Sequence, residues 1–351
     1  MEQRPVDDKV GIAMGAGAAH RSTVSARGPA GGAVMIAPDR RLVVPVVSGC
    51  GGVGRTTVAA LLAATLHRHT AVASNDNRGC AVLDIAPRGQ SPWPAWVTTA
   101  AASGTSTLAG FRGSAGGSDA DLAQLTDSAA SQMHVDAPTP LWVLTDTGQP
   151  SASYLGGDPG PRWWLPVLPG LRAAVVDGDS LEGARLSAQA AGGAMSSIAA
   201  WFATPFLNTA AVWVTDSGEA SLQRTVDALT CIAQVRLPVD RIVVAVTERR
   251  GGTRRRSDAL PEAWRQLIEG RIGAVVELGH DRTLTERGGR PGFDAAALDR
   301  AEALELARAV ASAARLPWIP EGEAALEPPA PGGTGSLSEL LLRQAGRAAL
   351  R

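Results

Sequence analysis

The stretch from Gly49 to Thr57 carries the most specific chemistry in the chain. Gly49, Gly51, Gly52 and Gly54 are spaced around Cys50 and Val53, and Arg55, Thr56 and Thr57 follow directly. Glycines so placed let the backbone curl until several N–H groups converge on one point, which is how a loop wraps a phosphate. The pattern for such a cradle is G-x-x-x-x-G-K-[ST], in which the lysine reaches the outer phosphates and the hydroxyl ligates Mg²⁺. Arg55 stands at the lysine position, and its wider planar fork can pair with phosphate but not from the same point. Thr56 is the expected Mg²⁺ ligand, and Thr57 the expected support for the α-phosphate.

A cradle of this kind needs a strand before it and a helix after it. The apolar run Leu42 to Val47 supplies the first, and the alanine- and leucine-rich stretch Thr56 to Leu66 the second. The helix then presents its positive end to a bound anion. Downstream, strand-like runs at Ala81–Ile85, Leu141–Thr145, Ala173–Val176, Ala210–Thr215, Arg241–Val246 and Ala274–Leu278 alternate with helical stretches at Leu181–Ala191, Ala220–Ala233, Pro261–Glu269 and Ala295–Ala314. Strands that are apolar throughout, joined through helices, predict an α/β fold with a doubly wound, mostly parallel sheet covered on both faces. Ligands of such sheets sit at the carboxyl ends of the strands.

The chain has 351 residues, enough for one large α/β domain with appendages. Residues 1–40 are rich in Gly, Ala and Arg without a sustained period and read as a disordered leader. The domain is expected over 41–319, a Pro/Gly/Glu tether over 320–335, and a short amphipathic helix over 336–351. That helix opens on Ser336 and Glu339 in capping-box spacing, with Leu337, Leu340, Leu341, Ala345 and Ala348 on one face. Ala71–Gly79 and Gly104–Gly117 read as loops. The net charge of -1 gives no overall field toward nucleic acid or an anionic membrane. Cys50, Cys80 and Cys231 form no C-x-x-C pair, which points to a reducing, cytoplasmic setting and away from a structural zinc site. Lys9 is the only lysine among 33 basic residues, a bias that bears on the choice of arginine at position 55.

Residues 50–57 resemble the cradle of the ParA/MinD family of P-loop ATPases, typically K-G-G-x-G-K-[ST]-[ST], at Gly51, Gly52, Gly54, Thr56 and Thr57. Two departures mark a degenerate member. Cys50 replaces the signature lysine that reaches across a nucleotide-sandwich dimer, and Arg55 replaces the cradle lysine. The resemblance implies ATP or ADP with Mg²⁺ bound by Gly49, Cys50, Gly51, Gly52, Val53, Gly54, Arg55, Thr56 and Thr57. The segment from Ala81 to Gly89 resembles the family's "VLLIDxDPQG" strand end and implies that Asp84, with Arg55, is catalytic, Asp84 orienting the attacking water. Asp76 is the rival in another register, and Ala86 replaces the motif's second acid. The segment Ala173 to Gly178 resembles "VIIDTPP" and makes Asp177 the magnesium-site carboxylate beside Thr56, with Asp146 as competitor. Thr247 falls where the family places an asparagine on the base, and the stretch through His280 and Asp281 resembles the segment flanking that base.

The family likeness further implies a homodimer and a protein partner, with two functional readings. One is a nucleotide-dependent switch or scaffold that is weakly active or inactive as an ATPase, positioning or assembling a cellular machine. The other is an active partitioning or positioning ATPase in which Arg55 replaces the lysine. The arginines between Arg249 and Arg256 could meet DNA phosphates, but read more readily as a solvated loop. Arg343, Arg347 and Arg351 beside the C-terminal leucines could bring that helix to a membrane surface. Trp93, Trp96, Trp163 and Trp164 follow strand ends, where aromatic residues more often pack than bind.

Overall fold

The computed structural model describes residues 33–36, 40–70, 79–85, 91–97, 130–135, 137, 139–145, 171–178, 180–204, 207–248, 264, 266, 268, 270–279 and 295–319. The strands are β1 (Ala33–Val34), β2 (Arg41–Ser48), β3 (Gly79–Asp84), β4 (Ala130–Met133), β5 (Leu141–Leu144), β6 (Leu171–Asp177), β7 (Leu207–Thr209), β8 (Ala211–Asp216), β9 (Ile242–Thr247), β10 (Ala274–Leu278) and β11 (Trp318–Ile319). The helices are α1 (Arg55–His69), α2 (Trp93–Trp96), α3 (Glu182–Ala190), α4 (Ser197–Phe202), α5 (Glu219–Gln234), α6 (Ala295–Leu298) and α7 (Ala301–Ala313). The main sheet runs β10-β9-β8-β2-β6-β3-β5-β4, with β7 also paired to β2. Every pairing in it is parallel except that of β4 with β5 at one edge. The chain therefore has the α/β, mostly parallel architecture that its alternating apolar and helical runs predict.

Alternation along β2 shows why both faces must be covered. Leu42, Val44 and Val46 join Val212, Val214, Val243 and Val175 in a core packed with α1 and α7. On the other face, Val43 packs with Trp201 of α4, and Val47 joins Leu186 of α3 and Leu222, Leu229 and Ile232 of α5. All eight residues of β2 are buried. Helix α1 is enclosed around most of its circumference, as expected of an alanine- and leucine-rich helix between a sheet and a second helix.

Pro45 lies inside this central strand, where a missing N–H would normally break a ladder. The Val43 carbonyl accepts from the Ala210 N–H at 3.4 Å on the β7/β8 side. Two residues on, Pro45 turns its backbone to that same side. There the pairing with β7 has ended at Val43 and the pairing with β8 begins only at Val46, so the proline falls in a gap between the two.

The structure differs from the sequence expectations at several places. Ala33–Val34 lie within the segment read as leader, yet they pair antiparallel with Trp318–Ile319, and Val34 is fully buried in the main core. Two residues are too few to register as a period. The stretch Ala295–Ala314 divides into α6 and α7 at Asp299 and Arg300. Arg300 is extended there, and Asp299 pairs with Arg68 at the end of α1. Strands β4 and β7 and helices α2 and α4 add short elements that no periodic run announced. The C-terminal helix, the tether, the arginines from 249 to 256, His280, Trp163 and Trp164 lie outside the described residues.

His67, in the last turn of α1, pins that helix to β3. Its Nδ1 accepts the Cys80 N–H at 3.3 Å, which leaves the proton on Nε2 to donate to the Thr139 carbonyl at 2.8 Å. Burial pushes the imidazole below its ordinary pKa. Gly79 faces this ring with a φ of 60°, and a Cβ there would lie 2.8 Å from Nδ1. Gly79→Ala is therefore expected to cost about 1–3 kcal/mol in urea unfolding, from the left-handed backbone and the displaced imidazole together. Stability equal to the parent's would contradict this packing.

Candidate functional site

The cradle joins β2 to α1 at the carboxyl end of the sheet. Gly52 and Gly54 have φ values of 79° and 81°, left-handed conformations that a side chain resists. Gly54 is the N-cap of α1 and has no side chain with which to cap it, so the first-turn amides of Arg55, Thr56 and Thr57 are left to a ligand or to solvent. The loop is braced at three points. Ser48 Oγ donates to the Cys50 carbonyl at 2.9 Å, Thr247 Oγ1 donates to the Val53 carbonyl at 2.8 Å, and Cys50 Sγ lies 3.7 Å from Ser221 Oγ of α5.

Above the loop lies a cavity of about 710 Å³. Of the residues expected to bind nucleotide, Cys50, Gly51, Gly52, Gly54, Arg55, Thr56 and Thr57 line it, and Ser48, Ser91, Pro92, Trp96 and Ser180 complete its wall. Gly49 and Val53 support the loop from behind, Val53 being buried. Thr247 also stands behind it. Its hydroxyl is engaged with Val53 and lies 3.3 Å from the Thr215 carbonyl.

The two carboxylates chosen from the sequence end adjacent strands, Asp84 opposite Asp177 in the β3–β6 register. They are held differently. Asp84 Oδ2 accepts from Ser91 Oγ and from Thr145 Oγ1, each at 2.6 Å. Asp177 is fully buried: its Oδ1 pairs with Arg55 Nε at 2.9 Å, and its Oδ2 accepts from the Trp93 indole N–H at 2.8 Å. Arg55 Nη2 reaches on to Thr56 Oγ1 at 3.3 Å. Burial pushes Asp177 above the ordinary carboxylate pKa, and the Arg55 charge, the Trp93 indole and the Thr56 hydroxyl pull it back. The rival acids Asp76 and Asp146 lie outside the described residues.

The oxygens expected to hold Mg²⁺, those of Thr56 and Asp177, are thus both within reach of one guanidinium, and as they stand they do not fit that ion. Cys80, buried in β3 with its thiol pushed above the ordinary range, is an inert core residue and not a ligand or nucleophile. Sequence reasoning treated Trp93 as packing and passed over Ser91 and Thr145. The position of Trp93, nine residues beyond Asp84, gave no sign that its indole returns to Asp177.

No family model matches the chain. No curated protein matches it. Several solved structures are similar to it. A ParA family ATPase from Chlorobium tepidum TLS is 14% identical with a TM-score of 0.47, over 78% of this chain and 97% of that one. The cell division ATPase MinD from Pyrococcus furiosus is 19% identical with a TM-score of 0.42, over 78% and 97%. The septum site-determining protein MinD complexed with Mg-ADP, from Pyrococcus horikoshii OT3, is 16% identical with a TM-score of 0.39, over 78% and 94%. The chemistry of the site rests on this chain's own residues.

The ion pair makes a direct prediction. Arg55→Met leaves a fully buried carboxylate without its cation and is expected to cost about 3–5 kcal/mol near neutral pH in urea unfolding. Without the guanidinium the Asp177 pKa rises further above its unfolded value. The native state then binds the proton more tightly, and the deficit shrinks as the pH falls toward about 5. Adding Asp177→Asn should recover much of the loss. A single variant as stable as the parent at both pH values would contradict the pairing.

Proposed function

We propose that this chain is a ParA/MinD-like nucleotide-binding protein whose ATP hydrolysis is weak or absent, and that it acts as a nucleotide-dependent dimeric switch or scaffold. The observation that carries this reading is the cradle: a glycine loop with two left-handed residues, an uncapped helix start and a cavity of about 710 Å³ directly above. Converging amides and the positive end of α1 suit the phosphates of ATP or ADP. Thr57 and the loop amides hold the phosphates, while Thr247 keeps the loop in shape and leaves the base without the asparagine contact of the family.

Weak turnover follows from what surrounds the cradle. Lysine at the cradle position would extend a compact ammonium to the outer phosphates, whereas Arg55 is drawn back onto Asp177. Cys50 supplies no charge to a partner's phosphates across a dimer. Asp84 is buried, and one of its oxygens is held by two hydroxyls, which restrains it as the group that would orient water. The working unit is the domain over 41–319, joined by the strand at Ala33–Val34. The C-terminal segment is assigned to docking on this domain or on a protein partner, ahead of a membrane surface. Among the described residues no helix is long and apolar enough to cross a membrane.

Calorimetry with ADP on the full chain is expected to show binding that falls at least about tenfold in a Gly52→Val, Thr56→Ala double variant. Arg55→Lys should keep binding and raise the ATPase rate. No binding by the parent would overturn the nucleotide reading. Sustained ATP turnover by the parent, not raised by Arg55→Lys, would favour the active-ATPase reading.

A further inference from the structure

The guanidinium of Arg55 contacts both of the side-chain oxygens expected to hold a magnesium ion. Its Nε lies 2.9 Å from Asp177 Oδ1 and its Nη2 lies 3.3 Å from Thr56 Oγ1. Mg²⁺ takes its oxygen ligands at about 2.0–2.1 Å in near-ideal octahedral geometry. While the guanidinium holds both oxygens, neither the ion on the Thr56 hydroxyl nor its hydration water on Asp177 Oδ1 can take its place unless Arg55 moves, and a dication beside a fixed cation is repelled. The second Asp177 oxygen already accepts from the indole of the fully buried Trp93, which takes one of its lone pairs and holds it in the same enclosed site as the guanidinium charge. Freeing either oxygen means breaking a buried ion pair or moving a core tryptophan.

We propose that the cradle takes its polyphosphate ligand without a divalent cation, with Arg55 supplying the fixed positive charge that a metal would otherwise bring. A guanidinium has five N–H donors in a planar fork, and the described contacts use its Nε and one Nη. Arg55 also lines the cavity, so its remaining donors can serve a phosphate while it neutralises Asp177. The same arrangement accounts for weak hydrolysis: the charge is fixed in the ground state and tied to a buried carboxylate, away from the outer phosphate. This inference rests on the nucleotide reading of the cradle and specifies how that nucleotide is held.

The test is calorimetry of the full chain with ADP, once with excess Mg²⁺ and once with EDTA. The dissociation constants are expected to agree within about threefold. Binding weaker by about tenfold or more in EDTA would overturn the metal-free site while leaving the nucleotide reading intact, whereas no binding in either buffer would overturn both. A folded Arg55→Lys, Trp93→Phe variant, checked by circular dichroism, removes the guanidinium and the indole N–H from Asp177 and should bind ADP about tenfold more tightly with Mg²⁺ than with EDTA. If it stays indifferent to EDTA, Arg55 and Trp93 are not what excludes the metal. Should that variant fail to fold, the parent's two titrations still decide the matter.

Discussion

A buried carboxylate with a cation of its own chain pressed against it sets the character of this site. Asp177 has no exposed surface, and its oxygens are held by Arg55 and the Trp93 indole with the Thr56 hydroxyl beside them. Burying a charge costs several kcal/mol, and an ion pair repays this only when its geometry is good and its remaining lone pairs are satisfied. Here the indole provides that satisfaction from an element separate from both the loop and the strand. Such a pair adds little net stability compared with apolar residues of similar size. Its effect lies in position, because it fixes Arg55 at the wall of the cavity and decides which charges a ligand meets.

The fold puts these groups together through the parallel sheet. Strands β2, β6 and β3 are neighbours, so the loop after Ser48, Asp177 and Asp84 all emerge at one edge. The β3–β6 register sets Asp84 opposite Asp177, and hydroxyls from Ser91 and Thr145 occupy the first while Arg55 and Trp93 occupy the second. Two buried acids side by side are held apart in chemistry by donors of different charge. Enclosure of α1 between the sheet and α7 keeps Arg55 in place, and His67 ties the far end of that helix to β3 and to the Thr139 carbonyl.

Much of this was legible in the sequence because it rests on local pattern. The glycines from Gly49 to Gly54 between an apolar run and an alanine-rich stretch indicate loop, strand and helix together, and the strand-like runs through Ala274–Leu278 appear in the sheet with ends shifted by a few residues. Elements of two to six residues escaped notice: Ala33–Val34 has no period to read, and Ser197–Phe202 is short enough to pass for loop. The side chains at the site divide the same way. Asp84 and Asp177 end apolar runs and could be picked out, whereas the contact of Trp93 with Asp177 spans 84 residues of chain and depends on how α2 packs. Arg55 was visible as a substitution for lysine. That its charge turns inward to Asp177 is a property of the folded chain alone.

A metal-free site requires the Arg55 guanidinium to stay on Asp177 when the cradle is filled. A crystal structure of the protein grown with ADP and Mg²⁺ shows this most directly. The expected result has the phosphates along the amides of residues 51–57, Arg55 still paired with Asp177, the Trp93 indole still on the other oxygen, and no metal at Thr56. A magnesium ion bound to Thr56 Oγ1, with Arg55 swung away from Asp177, would contradict it.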